Sequence, residues 1–312
     1  MIRSALAAAL LALLCTGCPS TPPLPGTTPP ATDGPRLPPA VLADPGWILL
    51  VRPGDLLDAP AVQSLLSGLE IDRSVADFVA RGRFDLARLG WLRVESKDGR
   101  SLFVLPLAEA EKLAATMSSP LGPPVPGEGA EAPPVAAPEV RTDEAGDWGI
   151  VYRVVAPAAA ALQTRPDDPE ATELAKLLHR VEGAGLVFWV RGPIAVRPEL
   201  DPAGLLAQTT SLGCAAAPVS RTTLRFGCVL FGVRGDNLYT GTLQTLVRKV
   251  FDSTLGRILD LEGASESLRY DPEPGAAYVE AELKVEALLP GLRVIASVPL
   301  AHLLEGNPPA PE

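Results

Sequence analysis

The chain is poor in the residues that most often carry chemistry: two histidines, four cysteines and 5% aromatic residues among 312 positions. No His-Glu-x-x-His occurs, and no spacing of histidine and cysteine suits a zinc site. Neither the Gly-x-Ser-x-Gly of an exposed nucleophilic serine nor the phosphate-cradling Gly-rich loop with its Lys-Ser/Thr is present. A loose dinucleotide-binding match, GEGAEA at Gly127–Ala132, sits among prolines with no strand before it and no helix start after it, and is noise. Positive charge is scarce as well, with 27 Lys and Arg against 37 Asp and Glu, a net charge of −10. That balance excludes the basic footprint of a nucleic-acid binder and electrostatic adhesion to anionic lipid. Also missing is a run of about 20 apolar residues, the length that spans a bilayer. The sequence therefore assigns no catalytic residue, no cofactor and no metal ligand.

What the sequence does have begins at its first residue. MIRSALAAALLALLCTGC opens with a positive region carrying Arg3, continues through an apolar run from Ala5 to Leu14, and steps through Thr16 and Gly17 to Cys18. The apolar run is too short to span and stay, and has the length and flanks of a cleaved export signal. Its ending resembles the lipobox of bacterial lipoproteins, which are acylated on a cysteine thiol and cut just before it by signal peptidase II. The resemblance covers only the first 18 residues, and it departs from the usual pattern at Cys15, where leucine is common. It implies removal of residues 1–17 and a lipid on Cys18, with acyl chains such as palmitate. Cys18 is preferred over Cys15 because Gly17 supplies the small residue before the cut, where Leu14 is bulky. An ordinary secretory signal is the alternative. Loss of Arg3 with the leader takes the net charge from −10 to −11. One chain binds membranes marginally, at roughly 0.8 kcal/mol per buried methylene, and two or three hold firmly. The expected location is the bacterial cell envelope, at the outer membrane, facing periplasm or surface.

A spacer follows. Residues 18–40 are dominated by Pro, Thr, Gly and Ser, with too little apolar surface to offset the ordering entropy of a packed structure. Proline keeps such a tether extended, at about 3.1 Å per residue. About 270 residues remain for the body, enough for one large domain or two small ones. Within it only Cys214 and Cys228 remain, an even pair suited to a structural disulfide in an oxidising compartment.

The expected fold class is α+β, with largely antiparallel sheet and helices on one face. A first half, 41–117, holds a buried strand at Gly46–Pro53, helices at Pro60–Leu69 and Arg73–Val79, the hairpin WLRVES-KDGR-SLFVLP, and a helix ending near Met117. Residues 118–146, rich in Pro, Ala and Gly, read as a mobile linker. A second half, 147–306, begins with a strand at Trp148. A helix follows from Pro169, capped by Asp168, with Leu174, Leu178 and Val181 on one stripe. Strands come next at Gly185–Gly192 and Thr222–Gly235, the latter bent at Gly227. A long helix over Tyr239–Leu261, a hairpin across PEPG, a short helix near Leu288, a strand RVIASV and a terminal helix AHLLE complete it, before a tail at 307–312. Strand, helix, hairpin and helix recur in both halves, pairing Trp47–Arg52 with Thr222–Val233, with Asp55 and Asp236 each following its strand. Divergent internal duplication explains the order; chance recurrence of common elements is the alternative.

Candidate polar residues have bland readings. His179 and His302 read as solvated or core-edge residues. Asp55 and Asp58, and Asp167, Asp168 and Glu170, read as helix caps and dipole-favoured acids rather than as a paired-carboxylate catalytic site. Trp47, Trp91, Trp148 and Trp189 read as core anchors rather than a sugar-stacking platform. The functional expectation is a lipid-anchored envelope protein with a non-catalytic binding or structural role. Its partners are the membrane, reached through the lipid, and an envelope protein or polymer. The alternatives are an enzyme modifying envelope polymer with a site assembled from distant residues, and a periplasmic carrier of apolar ligands.

Overall fold

The structure, a computed structural model, describes residues 37–70, 72–97, 100–118, 137–153, 170–196, 198–233, 240–273 and 275–297. The expected leader with Cys15, and Cys18 after it, lie outside them, as do most of the expected tether, the expected turn at Asp98-Gly99, Asp167, Asp168, Asp236, His302, the expected AHLLE helix and the tail.

The chain starts its sheet with β1 (Trp47–Val51), then crosses through helices α1 (Pro53–Asp58), α2 (Pro60–Gly68), α3 (Asp72–Gly82) and α4 (Leu86–Leu89). It returns as the hairpin β2 (Leu92–Lys97) and β3 (Arg100–Pro106), helix α5 (Leu107–Ser118), and the hairpin β4 (Pro138–Thr142) and β5 (Trp148–Arg153). Helix α6 (Ala171–Arg180) precedes β6 (Leu186–Arg191), which leads through α7 (Leu205–Gln208) to the hairpin β7 (Ser211–Pro218) and β8 (Thr223–Val233). Helices α8 (Thr240–Phe251) and α9 (Thr254–Ile258), a 3-10 segment (Leu261–Ser267), the hairpin β9 (Arg269–Glu273) and β10 (Gly275–Lys284), and helix α10 (Val285–Ser297) follow.

These strands form one ten-stranded sheet in the order β4-β5-β3-β2-β1-β6-β7-β8-β10-β9, with every neighbouring pair antiparallel. The fold is α+β. Read outward from the β1–β6 contact, both halves have one plan. A central strand leads through helix to a hairpin beside it, then through helix to a second hairpin whose first strand takes the outer edge. The counterpart of Trp47–Val51 is therefore Leu186–Arg191, not the expected Thr222–Val233, which is the second strand of the next hairpin. The edges are blunted by composition: β4 reads PEVRT and β9 reads RYDPE, with proline and charge discouraging further pairing.

Strand periodicity sorts side chains to two faces. One face, carrying Leu49, Val51, Val94, Leu105 and Val151, is covered by α1, α2, α5 and α10. Its continuation, Leu230, Val233 and Ala277, receives Leu205 of α7 and Leu243 and Leu246 of α8. The back face is covered differently. Over the second half lies α6, whose Leu174, Leu177 and Val181 pack on Val187, Ala215 and Val229. Over the first half lies an extended stretch, residues 37–46, whose Val41 packs among Leu102, Val104, Ile150 and Tyr152. Helices thus favour one face, with α6 the exception.

Several local expectations change. The end of the linker forms β4, because Pro138–Thr142 pairs with β5. Residues 293–297, the described part of RVIASV, are helical within α10. Val285, Leu288, Leu289 and Leu292 repeat at helical spacing against the core, outweighing the β-branched residues that suggest a strand. The helix expected over Tyr239–Leu261 breaks after Phe251, and Ser253 restarts it by accepting the Gly256 amide on its hydroxyl at 3.1 Å. Strand β8 is not bent at Gly227, where register with β10 is continuous; the irregularity falls at Gly232, in the left-handed region at φ 74°. Helix α6 begins at Ala171, two residues after the expected Pro169, and buries Leu177 completely in place of Leu178.

Cys214 and Cys228 face each other across β7 and β8 and form a disulfide. Closing a loop of about 15 residues restricts the unfolded chain by on the order of 3 kcal/mol. A chain starting after the tether, unfolded without reductant, is expected to show no free thiol in a colorimetric titration. Reduction is expected to lower its urea midpoint correspondingly; two reactive thiols before reduction are incompatible with this pairing.

Candidate functional site

Strand β2 carries LRVESK, and its first five residues are buried, charged ones included. Leu92 and Val94 face the helices. Arg93 and Glu95, on the alternate positions, face the back of the sheet and are fully buried. Arg93 Nε donates to Glu95 Oε1 at 2.6 Å. Ions in such a place need further hydrogen bonds, because each loses several kcal/mol of solvation. The extended stretch 37–46 supplies them. Its Val41 amide donates to both Glu95 oxygens at 3.2 Å, and its Leu42 amide to Glu95 Oε2 at 2.6 Å. Arg93 Nη1 reaches the Pro38 carbonyl at 3.4 Å. The pair therefore acts as a receptor for a peptide backbone, and its occupant is the segment directly before β1. The last residues of the expected tether, 37–40, belong to this strap: Pro38 and Ala40 are buried.

The corresponding back-face positions of β7 are Gly213 and Ala215, opposite Trp189 and Val187 of β6, as Arg93 and Glu95 stand opposite Leu50 and Ile48 of β1. A Cβ on Gly213 would collide with Leu177, so glycine there lets α6 approach. One half of the back face thus offers charge and takes a strap, while the other offers small residues and takes a helix.

A surface chain of ions joins the two covers. Lys97, at the end of β2, lies 2.9 Å from Asp44 of the strap. Asp44 is also 2.9 Å from Arg191, at the end of β6, whose Nη2 is 3.0 Å from Glu170 at the start of α6. The hydrogen bond from Lys97, then the charge of Arg191, holds the Asp44 carboxyl below its ordinary value of 3.8. Beside this chain, Glu173 Oε2 accepts from the Trp189 indole at 2.6 Å and the Ser211 hydroxyl at 2.5 Å. Ser211 is buried and donates to a carboxylate, an arrangement that fastens α6 to β6 and β7 and does not expose a nucleophile. No family model, curated protein or solved structure matches this chain.

The other expected site residues are scattered. Asp55 lies in the first turn of α1, 2.9 Å from Arg52, and Asp58 ends that helix. His179 is exposed in the last turn of α6. Trp47, Trp91 and Trp189 are buried in the core, Trp47 against Phe188 with ring centroids 6.3 Å apart; Trp148 is half-buried. Among the described residues no three of His, Cys, Asp and Glu are grouped as metal ligands, and no helix is long and apolar enough to cross a membrane. The residues that sequence reasoning missed are Arg93 and Glu95. Their signal is two opposite charges two positions apart in a strand, which alternation reads as a solvated face.

Outer tyrosines secure both wings. Tyr152 donates to Glu139 of β4 at 2.8 Å, and Tyr278 donates to Glu280 at 2.6 Å with Arg180 over its ring. Burial, and then the carboxylate acceptor, raise both phenols above their ordinary value of 10.

Two outcomes are expected. Arg93→Met leaves Glu95 buried without its cation and should lower unfolding stability by about 3–5 kcal/mol in urea titration. A change below 1 kcal/mol would mean that water reaches the pair. Asp44, with its folded value depressed, stabilises the fold above its unfolded value and loses that contribution as pH falls through the folded one. The stability difference between the native chain and Asp44→Asn should therefore be present at neutral pH and vanish well below pH 3.8.

Proposed function

We propose that this chain is an exported, lipid-anchored envelope protein whose body has a non-catalytic binding or structural role. Thr16-Gly17-Cys18 after the apolar run Ala5–Leu14 carries the reading. The Cys214–Cys228 disulfide supports it from an independent part of the chain, since such bonds persist in oxidising compartments. Carboxylates among the candidate acids are engaged in structural pairing, Asp55 with Arg52 and Glu170 with Arg191, which favours a scaffold over a reaction centre. In this reading acyl chains on Cys18 hold the body at the outer membrane, and the partner is another envelope protein or the envelope polymer.

Membrane fractionation of cells making the native chain and Cys18→Ala tests the anchor. The native chain is expected in the membrane fraction with an intact mass that includes the acyl groups; the variant should be released or retain its leader. A variant that matures and fractionates like the native chain, or a native product with an unmodified amino terminus, rules the anchor out. Hydrolysis of purified envelope polymer by the folded body would transfer the assignment to the enzyme alternative.

A further inference from the structure

We propose that residues 37–45 form a releasable strap, a device that opens as a unit while the ten-stranded sheet stays folded. The argument rests on how the strap is held. Strands β1 and β6 exchange backbone hydrogen bonds along five residue pairs, and β1 makes a second such ladder with β2. The strap has no ladder of its own, only an isolated bridge at Ala40. Its specific holds include the Glu95 carboxylate on two consecutive amides, Arg93 on the Pro38 carbonyl, Arg191 Nε on the Pro45 carbonyl at 3.2 Å, and the half-exposed Asp44 side chain on Lys97 and Arg191.

Opening leaves a receptor that is still internally paired. Arg93 and Glu95 remain bonded to each other at 2.6 Å and gain water where the strap lay, so neither is stranded as a buried single charge. The movement has a defined limit. The Gly46 amide donates to Ser96 O at 2.7 Å, and the Gly46 carbonyl accepts from the Arg191 amide at 3.0 Å, fixing the chain at the foot of β1. What opening uncovers is apolar: Leu102, Val104, Ile150 and Tyr152 of the first wing. The strap stands between Cys18 and β1, so, resting on the proposed anchor, pull from the membrane acts on it before it reaches the sheet.

Native-state hydrogen exchange on the full chain tests this, whether or not Cys18 carries lipid, so the strap and the anchor can fail separately. The Val41 and Leu42 amides are expected to exchange at least about tenfold faster than those of Leu49 and Leu50, the mark of sub-global opening. Reduction of the Cys214–Cys228 disulfide, which lies in the other half, weakens the whole body and not the strap's hold; it should accelerate exchange at Leu49 and Leu50 and leave Val41 and Leu42 unchanged. Should the reduced chain fail to stay folded, Val229→Ala, at a buried position of β8 away from the strap, is expected to give the same split. A single common rate for all four amides in the native chain, or equal acceleration of all four in the reduced chain or the folded variant, overturns the proposal, because the strap then leaves only when the whole body unfolds.

Discussion

Antiparallel pairing of Trp47–Val51 with Leu186–Arg191 is the contact on which the rest of the architecture depends. Strand β1 could not serve as an edge. All five residues of β1 are buried, so an unpaired side would leave a row of backbone donors and acceptors in an apolar surround. With the pair formed, each half builds outward by one hairpin and then another, and a single sheet replaces what could have been two small sandwiches. Continuity also lets one helical layer cover both halves: α10, at the far end of the chain, packs its Leu289 onto α2 so closely that Gly68 has no room for a Cβ.

Differences between the halves are concentrated on the back face and follow from very few side chains. Gly213 and Ala215 let a helix lie flat on β7; Arg93 and Glu95 cannot admit one without stranding charge. An extended strap meets that need, since its backbone presents donors and acceptors that a helix keeps for itself. Charge on one wing and small residues on the other thus select two kinds of cover from the same sheet geometry. The ion chain from half-exposed Lys97, Asp44 and Arg191 to buried Glu170 then joins the covers across the centre, and its exposed pairs orient more than they stabilise.

On the proposed anchor, the buried ion pair stands at the amino-terminal entry to the described fold. The segment that would take tension lies on the sheet's back, beside an apolar surface it conceals, while the disulfide braces a hairpin in the other half. Strap and sheet are then successive connections of increasing strength: a side-chain clamp and a doubly paired central strand.

Much of this was legible in the amino acids, for local reasons. WILLV between Gly46 and Pro53 had to be a buried strand, WLRVES and SLFVLP had to pair as a hairpin, and the two body cysteines had the parity and spacing of a pair. Strand β7 was invisible, because GCAAA has weak strand propensity and its small residues make sense only once α6 is packed on them. Arg93 and Glu95 were read past because alternation cannot distinguish a polar face in water from one covered by a distant segment. The short apolar run near the amino terminus, the spacing of charge and the apolar periods belong to the sequence, since each is a property of neighbouring residues. Which strand meets which, and which charges are buried, was decided by tertiary structure alone, because β1 pairs with a strand in the other half and Glu95 is covered by a segment 54 residues before it.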